Sequence, residues 1–141
     1  MKLGATIYVD SIEKSYEAVE LYKEAFGLTL GFNSSYEDTT WMEQYGITVR
    51  DDYIPKKGYF HAELMRNGET ILIVSAEGDD SSCIPHGHQF VVLGMQMGCE
   101  EAVKKAVSVL SAGTITPKDE GWNPLTAGVT DPFNVSWCIY M

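Results

Sequence analysis

EKSYEAVELYKEAF, residues 13–26, is the stretch from which the fold is read. Its apolar residues Ala18, Leu21, Tyr22 and Ala25 recur at the i, i+3, i+4, i+7 spacing of one helical stripe, so an amphipathic helix is expected to lay that stripe on a sheet. Asp10 with Glu13 reads as a capping box at its start, and Gly27 as a left-handed stop at its end. Strand candidates flank it: GATIYVD (4–10) before, and LTLGF (28–32), GYFHAELMR (58–66) and ETILIVSA (69–76) after. Asn67-Gly68 between the last two is the dipeptide of a tight hairpin.

The same order returns in the second half. HQFVVLGMQM (88–97) precedes a helix expected over 100–112, with Ala102, Val103, Ala106, Val107 and Leu110 on its buried side and Gly113 at its end. Glu100 and Glu101 occupy its first turn, where they complement the helix dipole, and each meets a lysine four residues on. TITPK (114–118), AGVTD (127–131) and FNVSWCIYM (133–141) follow as strands. The chain therefore reads as an α+β domain of two βαβββ modules, about 1–78 and 88–141, joined by the polar linker EGDDSSCIPHG at 77–87. One such module covers a single face of its sheet with its helix, so the two are expected to curl around a shared cleft.

The first module carries extra chain at 33–57, NSSYEDTTWMEQYGITVRDDYIPKK. Its Trp41, Met42, Tyr45, Ile47 and Tyr53 point to an ordered flap with a helical turn near 38–45.

Composition narrows the functions. The 141 residues are 45% hydrophobic and 21% charged, and a formal net charge of −10 disfavours nucleic acid and anionic membrane surfaces as partners. Cationic or neutral small molecules suit such a field. No apolar run reaches the length of a bilayer span, no secretory signal is read at the N-terminus, and Cys83, Cys99 and Cys138 form no Cys-x-x-Cys motif. A reduced, cytoplasmic protein is expected.

Four stretches, AVELYKEAFG (18–27), FHAELMRNGETILIVSAEG (60–78), SAG (111–113) and VTDPFNVSWCI (129–139), resemble the vicinal-oxygen-chelate superfamily of glyoxalases, bleomycin-resistance proteins and extradiol dioxygenases, and within it the PhnB-like branch. Asn134 stands where that family usually has glycine, a mild departure because Asn tolerates a left-handed turn. The resemblance implies a U-shaped mixed sheet around the cleft and a homodimer. Metal-using members hold a divalent ion on His or Glu from the first and last strands of both modules. The matching positions here are Gly4 or Thr6, then Ile73, Val74 or Ser75, then His88, then Cys138. Only His88 is a strong ligand of the expected kind, so no metal or other cofactor is expected; His86 falls in the linker.

Residues expected at a ligand site are Tyr8, Trp41, His61, Glu63, His88, Trp122, Ser136, Cys138 and Tyr140. His61 and Glu63 share a strand face by their two-residue spacing and read either as an acid/base pair or as sheet architecture. Trp41, Trp122 and the tyrosines suit a planar or cationic ligand but equally suit core packing. Trp137 faces away from Cys138 and is expected under a helix, leaving Ser136 and Tyr140 beside the thiol. Cys138 itself reads as an inert thiol ahead of a nucleophile. The functional expectation is a PhnB-like small-molecule-binding protein that sequesters a cationic or aromatic ligand. The alternative is a lyase, isomerase or dioxygenase of the same superfamily with rearranged metal ligands or none, and a third reading is an interaction module whose cleft is plugged by its own flap.

Overall fold

The structure, a computed structural model, describes residues 4–76, 92–110, 113–116 and 126–141. The expected linker at 77–87, His88 and Trp122 lie outside the described residues. In chain order the elements are β1 (Thr6–Tyr8), α1 (Ile12–Phe26), β2 (Thr29–Ser35), α2 (Thr40–Gln44), β3 (Tyr59–Arg66), β4 (Glu69–Ser75), β5 (Val92–Gln96), α3 (Glu100–Leu110), β6 (Gly113–Thr116), β7 (Thr126–Thr130) and β8 (Ser136–Tyr140). They make an α+β protein with two four-stranded sheets, ordered β1-β4-β3-β2 and β5-β8-β7-β6. The two orders are the same permutation, with β1 parallel to β4 and β5 parallel to β8 while every other pair is antiparallel. The duplicated βαβββ order expected from the sequence is present.

The chain groups into two compact units, Met1–Glu20 with Thr29–Pro85 and Leu21–Leu28 with His86–Met141, so the boundary passes through α1.

In the first unit, α1 begins differently from the expected capping box. Ser11 is the cap, its Oγ accepting from Lys14 N at 3.2 Å, while Asp10 pairs with Lys14 Nζ at 2.8 Å. The reason is one of reach: Ser11 directly precedes the first helical residue, the position from which a short side chain meets the third helical N–H. Buried Ser15 then ties the helix to β3, donating to Ile12 O at 2.5 Å and accepting from Tyr59 N at 2.7 Å. Gly58 sits against the same turn so closely that a Cβ there would lie 2.1 Å from Ile12 O, which only a residue without a side chain allows.

Alternation sorts the first sheet into two faces. Ile7, Ala62, Leu64, Leu72 and Val74 are buried, whereas Thr6, Tyr8, His61, Glu63 and Ile73 lie on the opposite, open face. Asn67 and Gly68, both at positive φ (53° and 79°), close the expected hairpin between β3 and β4.

The extra segment is organised by aromatic packing. Tyr36, Trp41 and Met42 bury themselves with Ile12, and Val49, Tyr53 and Phe60 pack on that cluster. Trp41 stacks on Phe60 at 4.7 Å between centroids and donates to Ser35 O at 2.6 Å; Tyr53 donates to Tyr36 O at 2.8 Å. The expected helical turn is α2, preceded by Asp38, whose carboxylate accepts from the N–H and hydroxyl of Thr40 and is held below its ordinary range by those two bonds.

In the second unit α3 packs on β6, β7 and β8 through Val103, Ala106, Val107 and Leu110, and Glu100 meets Lys104 at 2.5 Å. Residues 21–26 of α1 supply a second helical surface. Tyr22 and Phe26 meet the buried Trp137 ring at 5.5 and 4.9 Å, so Trp137 is indeed under a helix, and that helix is α1. The expected α1 stripe needs one correction: Leu21 is only half-buried, and Ser15, Val19 and Phe26 complete the buried face. Gly27 (φ 64°) ends the helix, with Leu28 N bonded to Lys23 O at 3.1 Å.

Candidate functional site

The open face of the first sheet gathers the chemistry-bearing side chains of that unit. β3 contributes His61 and Glu63 two residues apart, which the pleat sends to one side. Their side chains are about a third exposed, 30% and 28%, with His61 Nε2 at 3.5 Å from Glu63 Oε1. The other carboxylate oxygen, Oε2, accepts from Thr70 Oγ1 across the β3–β4 hairpin at 2.8 Å. A carboxylate anchored at one oxygen and facing an imidazole with the other is fixed in orientation, as an acid–base pair requires.

Two aromatic rings stand on the same face. Tyr8 in β1 is 54% exposed and Phe32 in β2 is 65% exposed, values far above those of packed core aromatics. The Phe32 ring lies 6.0 Å from the His61 ring at a tilt of 57°. Ser75, two residues after Ile73 on β4, is buried and uses its hydroxyl on Phe60 O at 2.5 Å.

The open face of the second sheet presents Ser136, Cys138 and Tyr140 along β8, as their alternation with buried Trp137 and Ile139 requires. Cys138 is exposed and pairs in register with Gly94 on β5 and Gly128 on β7, so neither of its registered partners carries a side chain. The Tyr140 ring leans over Gly94, 3.5 Å from where a Cβ would be.

The nine expected site residues thus fall into separate groups. Tyr8, His61 and Glu63 share one face; Ser136, Cys138 and Tyr140 share another; Trp41 is buried in the aromatic cluster of the extra segment; His88 and Trp122 lie outside the described residues. Phe32 and Thr70, which the sequence reading did not single out, join the first group.

Among the described residues no three His, Cys, Asp or Glu side chains come together as a metal site. At the positions where the family resemblance puts ligands, Thr6 carries a hydroxyl, Ile73 and Val74 carry hydrocarbon, Ser75 is committed to Phe60 O, and Cys138 is a single thiol. Among the described residues, these positions therefore supply none of the imidazole or carboxylate ligands that a divalent ion of the family type takes, and His88, the remaining position, lies outside the described residues.

A further buried constellation was not foreseen. Asp131 accepts from Tyr22 Oη (2.6 Å) and Trp137 Nε1 (2.8 Å) through one oxygen and from Phe133 N (2.9 Å) and Val135 N (3.1 Å) through the other. Burial, then the charge of Asp131 and its hydrogen bond, push the Tyr22 phenol well above its ordinary value. Every lone-pair direction of this carboxylate is used within the fold, which marks it as architecture.

The family model described as Glyoxalase/Bleomycin resistance protein/Dioxygenase superfamily matches residues 5–139. Among solved structures, protein PA1353 from Pseudomonas aeruginosa is similar at a TM-score of 0.65 and 17% identity, covering 99% of this chain and 97% of that one. A PhnB protein from Bacillus cereus is similar at 0.62 and 18%, covering 99% and 98%. The fosfomycin resistance protein FosX from Listeria monocytogenes is similar at 0.57 and 10%, covering 99% and 90%. Among curated proteins nothing matches the chain.

Proposed function

The chain belongs to the Glyoxalase/Bleomycin resistance protein/Dioxygenase superfamily, and from that premise we propose that it is a PhnB-like small-molecule-binding member that holds a planar, cationic or aromatic ligand without the family's metal centre. The observation that carries this reading is the open face of the first sheet, where the exposed rings of Tyr8 and Phe32 stand with the half-buried Glu63 carboxylate. Exposed aromatic rings offer stacking area and a negative π-face, and a partly desolvated carboxylate adds a charge that is less screened than one at the surface. The net charge of −10 favours a cation over an anion at such a face and disfavours nucleic acid as a partner. Among the described residues no helix is long and apolar enough to cross a membrane. A cytoplasmic homodimer is the assembly we propose, on the family resemblance and the cysteine usage.

The test is a pair of fluorescent probes. Ethidium, a planar aromatic cation, is expected to bind, and 1-anilinonaphthalene-8-sulfonate, an aromatic anion, to bind more weakly. Phe32→Ala and Glu63→Gln should each weaken ethidium by about fivefold to thirtyfold, the worth of one desolvated aromatic or charged contact. Preference for the anion, or titrations unmoved by both substitutions, would overturn the reading.

A further inference from the structure

Thr70, Glu63 and His61 form a row across β4 and β3 in which each group fixes the next. The Thr70 hydroxyl spends its proton on Glu63 Oε2 at 2.8 Å, which leaves Oε1 turned to His61 Nε2 at 3.5 Å. An ionised carboxylate only accepts, so the imidazole nitrogen facing it is the protonated one, and in the neutral ring the lone pair then sits on Nδ1. Phe32 walls one side of that ring at 6.0 Å, and the His61 side chain keeps 30% of its surface open. An oriented carboxylate, an imidazole in a defined tautomer and an adjacent aromatic surface are the parts of a general base beside a binding wall for a planar substrate.

We infer that His61 is a metal-free catalytic base, with Glu63 and Thr70 as its positioning residues, acting on a planar substrate that carries an acidic C–H next to a C=O bond or on the carbon of a C=N bond. The inference rests on the ligand-binding reading above and takes the same face. His61 Nδ1 takes the proton; the C–H electron pair forms a C=C bond while the C=O π pair moves to the enolate oxygen, or it forms the second C–N π-bond while the N–O bond breaks and its pair stays on oxygen. The imidazolium, stabilised by Glu63, then returns the proton to a neighbouring carbon or to that oxygen. Atoms and electrons balance with no oxidant, reductant or metal, so the reaction class is isomerisation or elimination.

The probe is 5-nitrobenzisoxazole, planar and aromatic. A base removes its C3 proton, the electron pair completes a C≡N bond, the N–O bond breaks and the ring opens to a coloured cyano-nitrophenolate. The intact protein is expected to accelerate this ring opening, and His61→Ala to lose about a hundredfold of the acceleration, the usual contribution of a positioned base. Glu63→Gln should lower kcat and leave KM for this neutral probe unchanged, and Thr70→Val should do the same to a smaller degree, a split that a merely structural role does not produce. His61→Gln, which keeps a polar side chain of similar reach, serves should the alanine variant fail to fold. Ethidium titrations on the same variants separate the two ideas. Rates equal in wild type and His61 variants, with ethidium bound by all, overturn the base and leave the binding reading standing; a wild-type protein that neither binds ethidium nor forms the nitrophenolate overturns both.

Discussion

Asp131 explains at the residue scale why the closing motif Asp-Pro-Phe-x-x-x-Trp has the residues it has. One oxygen closes the turn through the N–H groups of Phe133 and Val135, and the other holds the Tyr22 hydroxyl and the Trp137 indole, two buried donors that need an acceptor. Asn134 stands in the same turn at φ 62°, the left-handed conformation that the departure from glycine was expected to tolerate. Removing one partner of such a network costs more than the mean hydrogen bond, because Asp131 keeps its charge and loses a donor. Tyr22→Phe is therefore expected to lose about 1–3 kcal/mol at neutral pH in urea unfolding. The alkaline limb should behave oppositely. Burial and the Asp131 charge raise the folded phenol above its unfolded value, so the stability it contributes is intact below about pH 10 and declines as pH rises beyond, because there the unfolded chain releases a proton that the folded one retains. Wild type should lose about 1.4 kcal/mol per pH unit more than Tyr22→Phe over that window. Parallel pH curves for the two proteins would exclude Tyr22 as the titrating group.

At the scale of elements, periodic signals were legible and cross-strand ones were not. The two long helices, the Asn67-Gly68 turn and the common face of His61 and Glu63 depend on spacing within one segment, which a sequence displays directly. Thr70 and Phe32 depend on register between strands. β3 and β4 shift register between Leu64 and Met65, and β2 shifts against β3 between Leu30 and Asn33, so simple alternation assigns neither side chain to the site. Trp41 illustrates the converse limit. An aromatic in a polar loop fits a binding wall and a local core equally well, and here Ile12, Tyr36, Met42 and Phe60 provide the core. The segment from Tyr36 to Tyr53 is consequently anchored by its own rings, and Trp41→Ala should release it. The expected outcome is a loss of about 3–5 kcal/mol if the segment unfolds with its unit, or, if it opens locally, faster amide exchange confined to residues 36–54 and the start of β3. Unchanged exchange there together with unchanged stability would show that the cluster does not hold the segment. Ethidium affinity should survive this substitution, since the rings proposed to meet the ligand are Tyr8 and Phe32.

For the whole molecule, the repeat of one strand permutation in both sheets was legible because each half repeats the same order of periods, two for strands and 3.6 for the helix. Charge is the other global property, and it acts at longer range than a hydrogen bond or a ring contact. A chain of net charge −10 attracts a cation before the cation reaches Glu63, and that attraction is felt over the Debye length, about 30 Å at 0.01 M salt and about 3 Å at 1 M. The proposed contact is with a Glu63 carboxylate that is partly shielded from solvent, so it would be screened less than the approach. Salt should therefore act on the rate of association far more than on dissociation. Stopped-flow mixing with ethidium is expected to show the association rate constant falling by about tenfold or more between 0.01 and 1 M NaCl, with the dissociation rate constant changed much less. Neutral 5-nitrobenzisoxazole supplies the control, since its KM should stay level over the same range. A salt-independent association of ethidium would mean that the acidic surface plays no part in ligand choice, and the preference for cations would then have to reside in Glu63 alone.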